Sequence, residues 1–259
     1  MGYPTPLVAF NRLLFPSTLI SSTRFTRFDK FNFGNRMALI QIPNTQDVVV
    51  WNSLPMGEEF DKALEILSKD SKLNLYAAII PDKEHTMAAE GLKKNHPDIL
   101  LIGPSGITDK PNLKLDHTFE DSQANKVIPG ASVDPKLDNF DFVFFNGHAN
   151  REVVVVDKTT RTAFEADLLF NIPSNGKNFD QYGEDNQNGN FWGFLTSRLN
   201  PESSTGRFLH QRLLKKTPES LQGLKALLSL DFDNVVMSHG EIIQGDGKAA
   251  FKKMFKSYL

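Results

Sequence analysis

The 259-residue sequence contains no cysteine. Disulfides, iron–sulfur clusters and thiolate zinc sites are therefore excluded, and only His, Asp and Glu remain to hold a transition metal. A chain without disulfides also suits an intracellular setting. There is no excess of either charge: 29 Lys and Arg stand against 31 Asp and Glu, a formal net charge of −2. That balance gives no electrostatic case for nucleic acid or an anionic membrane as partner. The basic pairs Lys215-Lys216 and Lys252-Lys253 read as solvated helix faces. No apolar run approaches the ~20 residues that cross a bilayer. Also missing are a Gly-x-x-x-x-Gly-Lys-Ser/Thr phosphate loop, a Gly-x-Ser-x-Gly nucleophile elbow and a His-Glu-x-x-His helix.

Acidic residues are absent until Asp29, which gives the N-terminus a faint likeness to an organellar transit peptide. Pro4, Pro6 and Pro16 interrupt the helix such a peptide needs. Residues 1–20 are thus expected to be a loosely structured lead-in, and 21–259 a single domain. Without a convincing signal peptide the expected compartment is the cytoplasm, with organellar import as the alternative.

What is present is an ordinary globular composition, 40% hydrophobic and 23% charged, which predicts a substantial core. Met37–Ile42 and Val48–Trp51 read as a hairpin around Pro43–Asp47. Phe60, Ala63, Leu64 and Leu67 recur at helical spacing over Glu58–Ser68, and Glu58-Glu59 suit the positive end of the helix dipole. Tyr76–Ile80 and Ile99–Ile102 are short apolar runs of the buried-strand type, with a short helix between them ending near Lys94. The polar stretch 109–139 is expected to be an irregular connection. Phe140–Phe145, Val153–Val156 and Thr162–Ala166 follow as three strands. Residues 171–200 read as a long loop with Phe179, Tyr182, Phe191 and Trp192 anchoring it. The chain closes with a helix over Pro218–Leu228, a strand over Asn234–Met237 and a last helix to about Tyr258.

Four metal-competent side chains fall at strand ends. His85 lies just past Tyr76–Ile80, His148 past Phe140–Phe145, Asp167 at the end of Thr162–Ala166, and His239 after Asn234–Met237. Ligand sites in α/β sheets form in the crevice beyond the carboxyl ends of strands. Imidazole and carboxylate suit zinc or iron. Taken singly, each histidine is more readily a hydrogen-bonded core or surface residue, and Asp167 a turn cap; it is the joint placement that suggests a site. Gly147 and Gly240, beside two of the histidines, permit sharp turns there. His96, His117 and His210 lack such placement and receive no role.

The order of elements and residues resembles the metallo-β-lactamase superfamily of hydrolases and oxidoreductases, in a divergent branch with a depleted metal motif. Gly147-His148-Ala149-Asn150-Arg151-Glu152 followed by Val153–Val156 is similar to the family's second-histidine strand. Thr162–Phe170 looks like the segment whose Asp bridges two metals, and Val235–Glu241 looks like the late histidine turn. The resemblance implies an αββα sandwich, two mixed β-sheets flanked by helices. In place of His-x-His-x-Asp-His the chain reads Ile80-Pro81-Asp82-Lys83-Glu84-His85, so both leading histidines are gone.

By that carry-over the metal candidates are His85, Asp167 and His239, with Glu84, Asp82 and His148 as further ligands. Glu84 would serve as general base, and His148 as oxyanion binder or proton donor. The implied function is a mononuclear zinc- or iron-dependent hydrolase of a small-molecule ester, thioester, amide or phosphoester. Two alternatives stand beside it. One is a metal-free binding or scaffold protein in which Lys83 replaces the metal's charge. The other is an iron oxidoreductase, for which no flavin or nicotinamide motif is present.

Overall fold

The computed structural model describes residues 2–28, 30–69, 71–107, 113–173 and 191–259, apart from the side chains of 191–193. Two sheets lie face to face with helices on their outer sides, an αββα sandwich. The strands are β1 (Ala9–Phe15), β2 (Thr18–Thr23), β3 (Thr26–Arg27), β4 (Phe31–Asn32), β5 (Asn35–Gln41), β6 (Asp47–Trp51), β7 (Asn74–Ile79), β8 (Leu100–Pro104), β9 (His117–Phe119), β10 (Val127–Pro129), β11 (Phe140–Phe145), β12 (Glu152–Asp157), β13 (Thr162–Glu165) and β14 (Asn234–Met237). The helices are α1 (Glu58–Ser68), α2 (Ala89–Asn95), α3 (Phe191–Thr196), α4 (Ser204–Leu213), α5 (Pro218–Ser229) and α6 (Gly247–Met254).

The first sheet has the order β1-β2-β5-β6-β7-β8-β9 and the second β10-β11-β12-β13-β14. Strands β3 and β4 form a separate small hairpin. Both large sheets are mixed. In the first, pairing is antiparallel as far as β6 and parallel from β6 to β9. In the second, only β13 and β14 run parallel.

The pleat explains why the strands are apolar throughout. Ala38, Ile40, Val49 and Trp51 of the first sheet meet Phe142, Phe144, Val155 and Phe164 of the second in a shared inner layer. Their neighbours in sequence point outward: Leu39, Val48 and Val50 pack under Phe60, Ala63 and Leu67 of α1. On the other side Val143, Phe145, Val154 and Val156 pack under Leu224 and Leu227 of α5 and Phe251 and Met254 of α6. A strand covered on both faces has no position for a polar alternation. The Trp51 and Phe164 rings, 5.7 Å apart, join the two sheets. Each such aromatic contributes about 2 kcal/mol or more through burial alone.

Two expectations are corrected. The supposed lead-in over 1–20 contains β1 and the start of β2, and every residue of β2 is buried. Thr18-Leu19-Ile20-Ser21-Ser22-Thr23 looks too polar for a core strand, but Arg36 donates to the Ser22 hydroxyl and Thr23 donates to the Val8 carbonyl. The connection 109–139 is not wholly irregular: it supplies β9 and β10, edge strands of the two sheets. Of the loop expected over 171–200, residues 174–190, including Phe179 and Tyr182, lie outside the described residues; 191–196 are helical. No helix among the described residues is long and apolar enough to cross a membrane.

Candidate metal centre

The parallel pair β13/β14 sets the geometry. Glu165 is in register with Met237. Two residues further along each strand the chain leaves the sheet, so Asp167 and His239 emerge side by side. His239 Nε2 stands 3.3 Å from Asp167 Oδ1. His85 arrives from the other sheet just beyond β7, and its ring lies 5.4 Å from that of His239. One ligand atom from each of His85, Asp167 and His239 lies within 4.8 Å of the others.

Each of the three is held by a partner that leaves its inner atom free. The His239 Nδ1 hydrogen bonds to the Gly34 carbonyl at 2.8 Å, which commits Nδ1–H and frees Nε2. The His85 Nδ1 lies 2.9 and 3.0 Å from the two oxygens of Asp82. Asp167 Oδ2 accepts from the Asn150 amide at 2.5 Å, whereas Oδ1 is buried with no hydrogen-bond partner. A buried, unpartnered carboxylate oxygen between two aimed imidazoles is what a cation would satisfy. The 3.3 Å separation of His239 Nε2 and Asp167 Oδ1 is close to the ~3.4 Å edge of a tetrahedron with ~2.1 Å bonds. Two imidazoles and one carboxylate with an open side suit catalytic zinc or non-haem iron. The residues therefore fit the metal.

The electrostatics agree. Burial lowers the His85 pKa, but Asp82, Asp167 and Glu84 overcome it and bring the group to about 9. Burial raises the Asp167 carboxyl, yet His85, His239 and His148 pull it well below the usual carboxylate range. Acidic groups thus surround His85, which without an ion holds its own proton as the balancing charge.

The other sequence candidates lie elsewhere. Asp82 is fully buried, and one of its oxygens also accepts the backbone N–H of Glu84 and of His85 at 2.7 and 2.9 Å. It buttresses His85 instead of joining the three-residue cluster, as metal-bound histidines are commonly buttressed. Glu84 is half exposed and faces Arg27 at 3.5 Å, also outside that cluster. His148 is buried, does not line the cavity described below, and has its Nδ1 3.7 Å from Glu152. Burial lowers its pKa and keeps it neutral.

Several residues support the site; the sequence marks Gly240 as a turn and Glu152 only as part of a motif, whereas Arg36 and Asn52 receive no role. Arg36, fully buried on β5, donates to the carbonyls of Met237 and Gly240, on either side of His239, the latter at 2.7 Å. Asn52 links Asn35, the Arg36 carbonyl and Ser238 through one amide group. Gly240 is required by its φ of +110° and because a Cβ there would lie 2.3 Å from the Asn171 backbone. Glu152 accepts the N–H groups of Ala166 and Asp167 at 2.6 and 2.9 Å. A charge bordering an apolar strand, as at Arg36 and Glu152, is the one signal that marks these positions.

The cluster sits at the base of a cavity of about 620 Å³. Phe25, Phe33, Phe170 and Leu213 give it apolar walls, and Lys83, Glu84 and Arg212 line it as well. His210, given no role above, also faces it. Its ring accepts from the Phe170 N–H at 3.0 Å and hydrogen bonds the Gly206 carbonyl at 2.8 Å. Burial pushes its pKa down to about 4.

These features define the metallo-β-lactamase fold, with a three-residue cluster of His85, Asp167 and His239 that could hold a metal. Comparison with solved structures shows the same fold over nearly the whole chain. A metallo-β-lactamase from Erythrobacter litoralis superposes with a TM-score of 0.62 at 12% identity, covering 96% of this chain and 95% of that one. The metallo-β-lactamase from Pontibacter korlensis gives 0.61 at 10% identity, covering 96% and 98%. FIM-1 from Pseudomonas aeruginosa, in a mono-zinc form, gives 0.60 at 9%, covering 98% and 96%. No family model and no curated protein matches the sequence. The likeness is one of fold.

Proposed function

We propose that the protein is a metal-dependent hydrolase with a single zinc or iron held by His85, Asp167 and His239. The observation that carries this reading is the unpartnered buried Asp167 Oδ1 facing imidazoles whose other nitrogens are already engaged. When bound, the metal supplies Lewis acidity toward a carbonyl or phosphoryl group and toward water. The chain's own groups complete the chemistry. Glu84, in the cavity wall, accepts the proton of an attacking water, and Lys83 offers positive charge to a developing oxyanion. The apolar walls limit water around a small ester, thioester, amide or phosphoester. FIM-1 in its mono-zinc form is a precedent for the stoichiometry in this fold.

A second reading rests on the raised His85 pKa. As a cation, His85 neutralises the carboxylates without an ion, and the cavity then serves binding alone. Elemental analysis of the parent and of His239→Ala separates the two. About one equivalent of zinc or iron in the parent, lost in the variant, supports the metalloenzyme. No metal after growth in supplemented medium refutes it.

A further inference from the structure

Two short helices at the mouth of the cavity repeat one pattern. Phe194-Leu195-Thr196-Ser197-Arg198 begins on α3 and Phe208-Leu209-His210-Gln211-Arg212 lies on α4. In each the guanidinium lies over the aromatic ring four residues earlier, 4.7 Å from the Phe194 centroid and 4.5 Å from the Phe208 centroid. Instead of turning inward, these apolar residues face solvent: Phe194 and Phe208 are each 55% exposed, Leu195 41% and Leu209 43%. The β3–β4 hairpin, against which α3 packs, presents Phe28 at 70% exposure, and Met87 at 50% completes the rim. Leu209, Met87 and Leu199, just past α3, also line the cavity, so the exposed apolar residues border its opening.

Large apolar residues kept in water around a pocket mark an interaction surface. Aromatic and leucine side chains interleaved with arginine are the composition of a segment that lies at a lipid interface. The neighbouring charges favour an anionic partner. Arg27 and Arg212 line the cavity, and Arg198 lies over Phe194. Of the acids nearby among the described residues, Glu84 faces Arg27 and Glu202 pairs with Lys253. The overall charge of −2 thus conceals a basic, apolar rim.

We infer that this rim docks on an anionic lipid surface, placing the mouth of the cavity against the bilayer. The docking does not depend on the hydrolase reading. The guanidiniums lie over the Phe194 and Phe208 rings, so ring and charge reach the headgroup level together while Phe28 enters the interface. Salt weakens such attraction by screening.

The test is co-sedimentation of the full chain with vesicles of phosphatidylcholine alone and of phosphatidylcholine mixed with phosphatidylserine. The parent is expected to bind the mixed vesicles and to release them as salt rises. Arg198→Gln with Arg212→Gln should weaken partitioning about thirtyfold, and Phe194→Ser with Phe208→Ser by about tenfold or more. All four positions are exposed, so an unchanged thermal unfolding transition verifies that the variants fold. His239→Ala should bind vesicles like the parent, which keeps a failure of the metal reading separate from a failure of this one. Absence of parent binding to mixed vesicles overturns the inference, as does binding that neither pair of substitutions alters. A parent dimer that the serine pair dissolves also overturns it, because the rim is then a protein interface.

Discussion

Replacing Asp82 tests whether it positions a ligand or is one. In the structure its carboxylate is fully buried, spans the His85 Nδ1 at 2.9 and 3.0 Å, and accepts two backbone N–H groups of the same turn. An outer carboxylate of this kind fixes the ring and raises its basicity, and its loss typically lowers metal affinity 10–100-fold. That range corresponds to about 1.4–2.8 kcal/mol. Asp82→Asn retains an oxygen for the backbone donors but loses the negative charge, so it should fall near the lower figure. Asp82→Ala also strands two buried N–H groups and should reach the upper figure, with about 2 kcal/mol of lost stability. Zinc affinity can be measured by competition with a chromophoric chelator at pH 7.5, with His85→Ala as reference for losing a ligand outright. The expected order is parent, Asp82→Asn, Asp82→Ala, then His85→Ala. If Asp82→Asn matches His85→Ala, Asp82 binds the metal directly and the positioning argument is wrong. If neither Asp82 variant alters affinity, the buttress has no bearing on the metal.

Two further predictions concern the ground beneath the site. Burial pushes the Glu152 and Glu165 carboxyls well above their usual range, helped at Glu152 by repulsion from Glu165, Asp82 and Asp167 and at Glu165 by repulsion from Asp167. Glu165 is held chiefly through Oε2 by the Leu169 N–H, with smaller help from the Leu168 N–H and the Glu152 side chain, and its Oε1 lacks a hydrogen bond, whereas both oxygens of Glu152 accept backbone N–H groups. Glu165→Gln should therefore change urea stability by no more than about 1 kcal/mol, while Glu152→Gln, which sets an amide against a backbone donor, should cost about 2 kcal/mol; equal effects would contradict the hydrogen-bond assignment. His210 titrates near 4 when folded and near 6.5 when unfolded, so the unfolded chain binds the extra proton first as pH falls. Its contribution is complete above pH 6.5 and is lost as pH drops toward 4, up to about 3 kcal/mol. Urea midpoints between pH 7 and 4.5 should fall more steeply for the parent than for His210→Gln, and parallel curves would refute the shift.

Much of this arrangement was visible before folding. The apolar runs Tyr76–Ile80, Phe140–Phe145 and Asn234–Met237 announce buried strands because the sandwich covers both faces of each sheet. His239 follows Asn234–Met237, Asp167 follows Thr162–Glu165 and His85 lies a few residues past β7, and that placement at strand ends made the three legible. What spacing could not convey is direction. Asp82 stands where the family carries a ligand, yet its side chain turns back along its own loop to His85. The strand β2 was missed because its hydroxyls look too polar for a core; the partners of Ser22 and Thr23 lie 14 and 15 residues away, and Thr18 and Ser21 are buried without one among the described residues. His210 looked like any helical histidine until α4 brought it against Phe170. The contacts of Ser22, His239 and the Phe170 side of His210 are non-local, and a window of a dozen residues cannot hold them.

The Arg36 guanidinium has a consequence for biosynthesis. It grips carbonyls 201 and 204 residues downstream, so the pocket for His239 has no rigid wall until β14 has been made and reached it. A nascent chain halted before β14 has His85 on Asp82 and Asp167 on Asn150 but lacks His239, so the three-residue cluster closes only with that last strand.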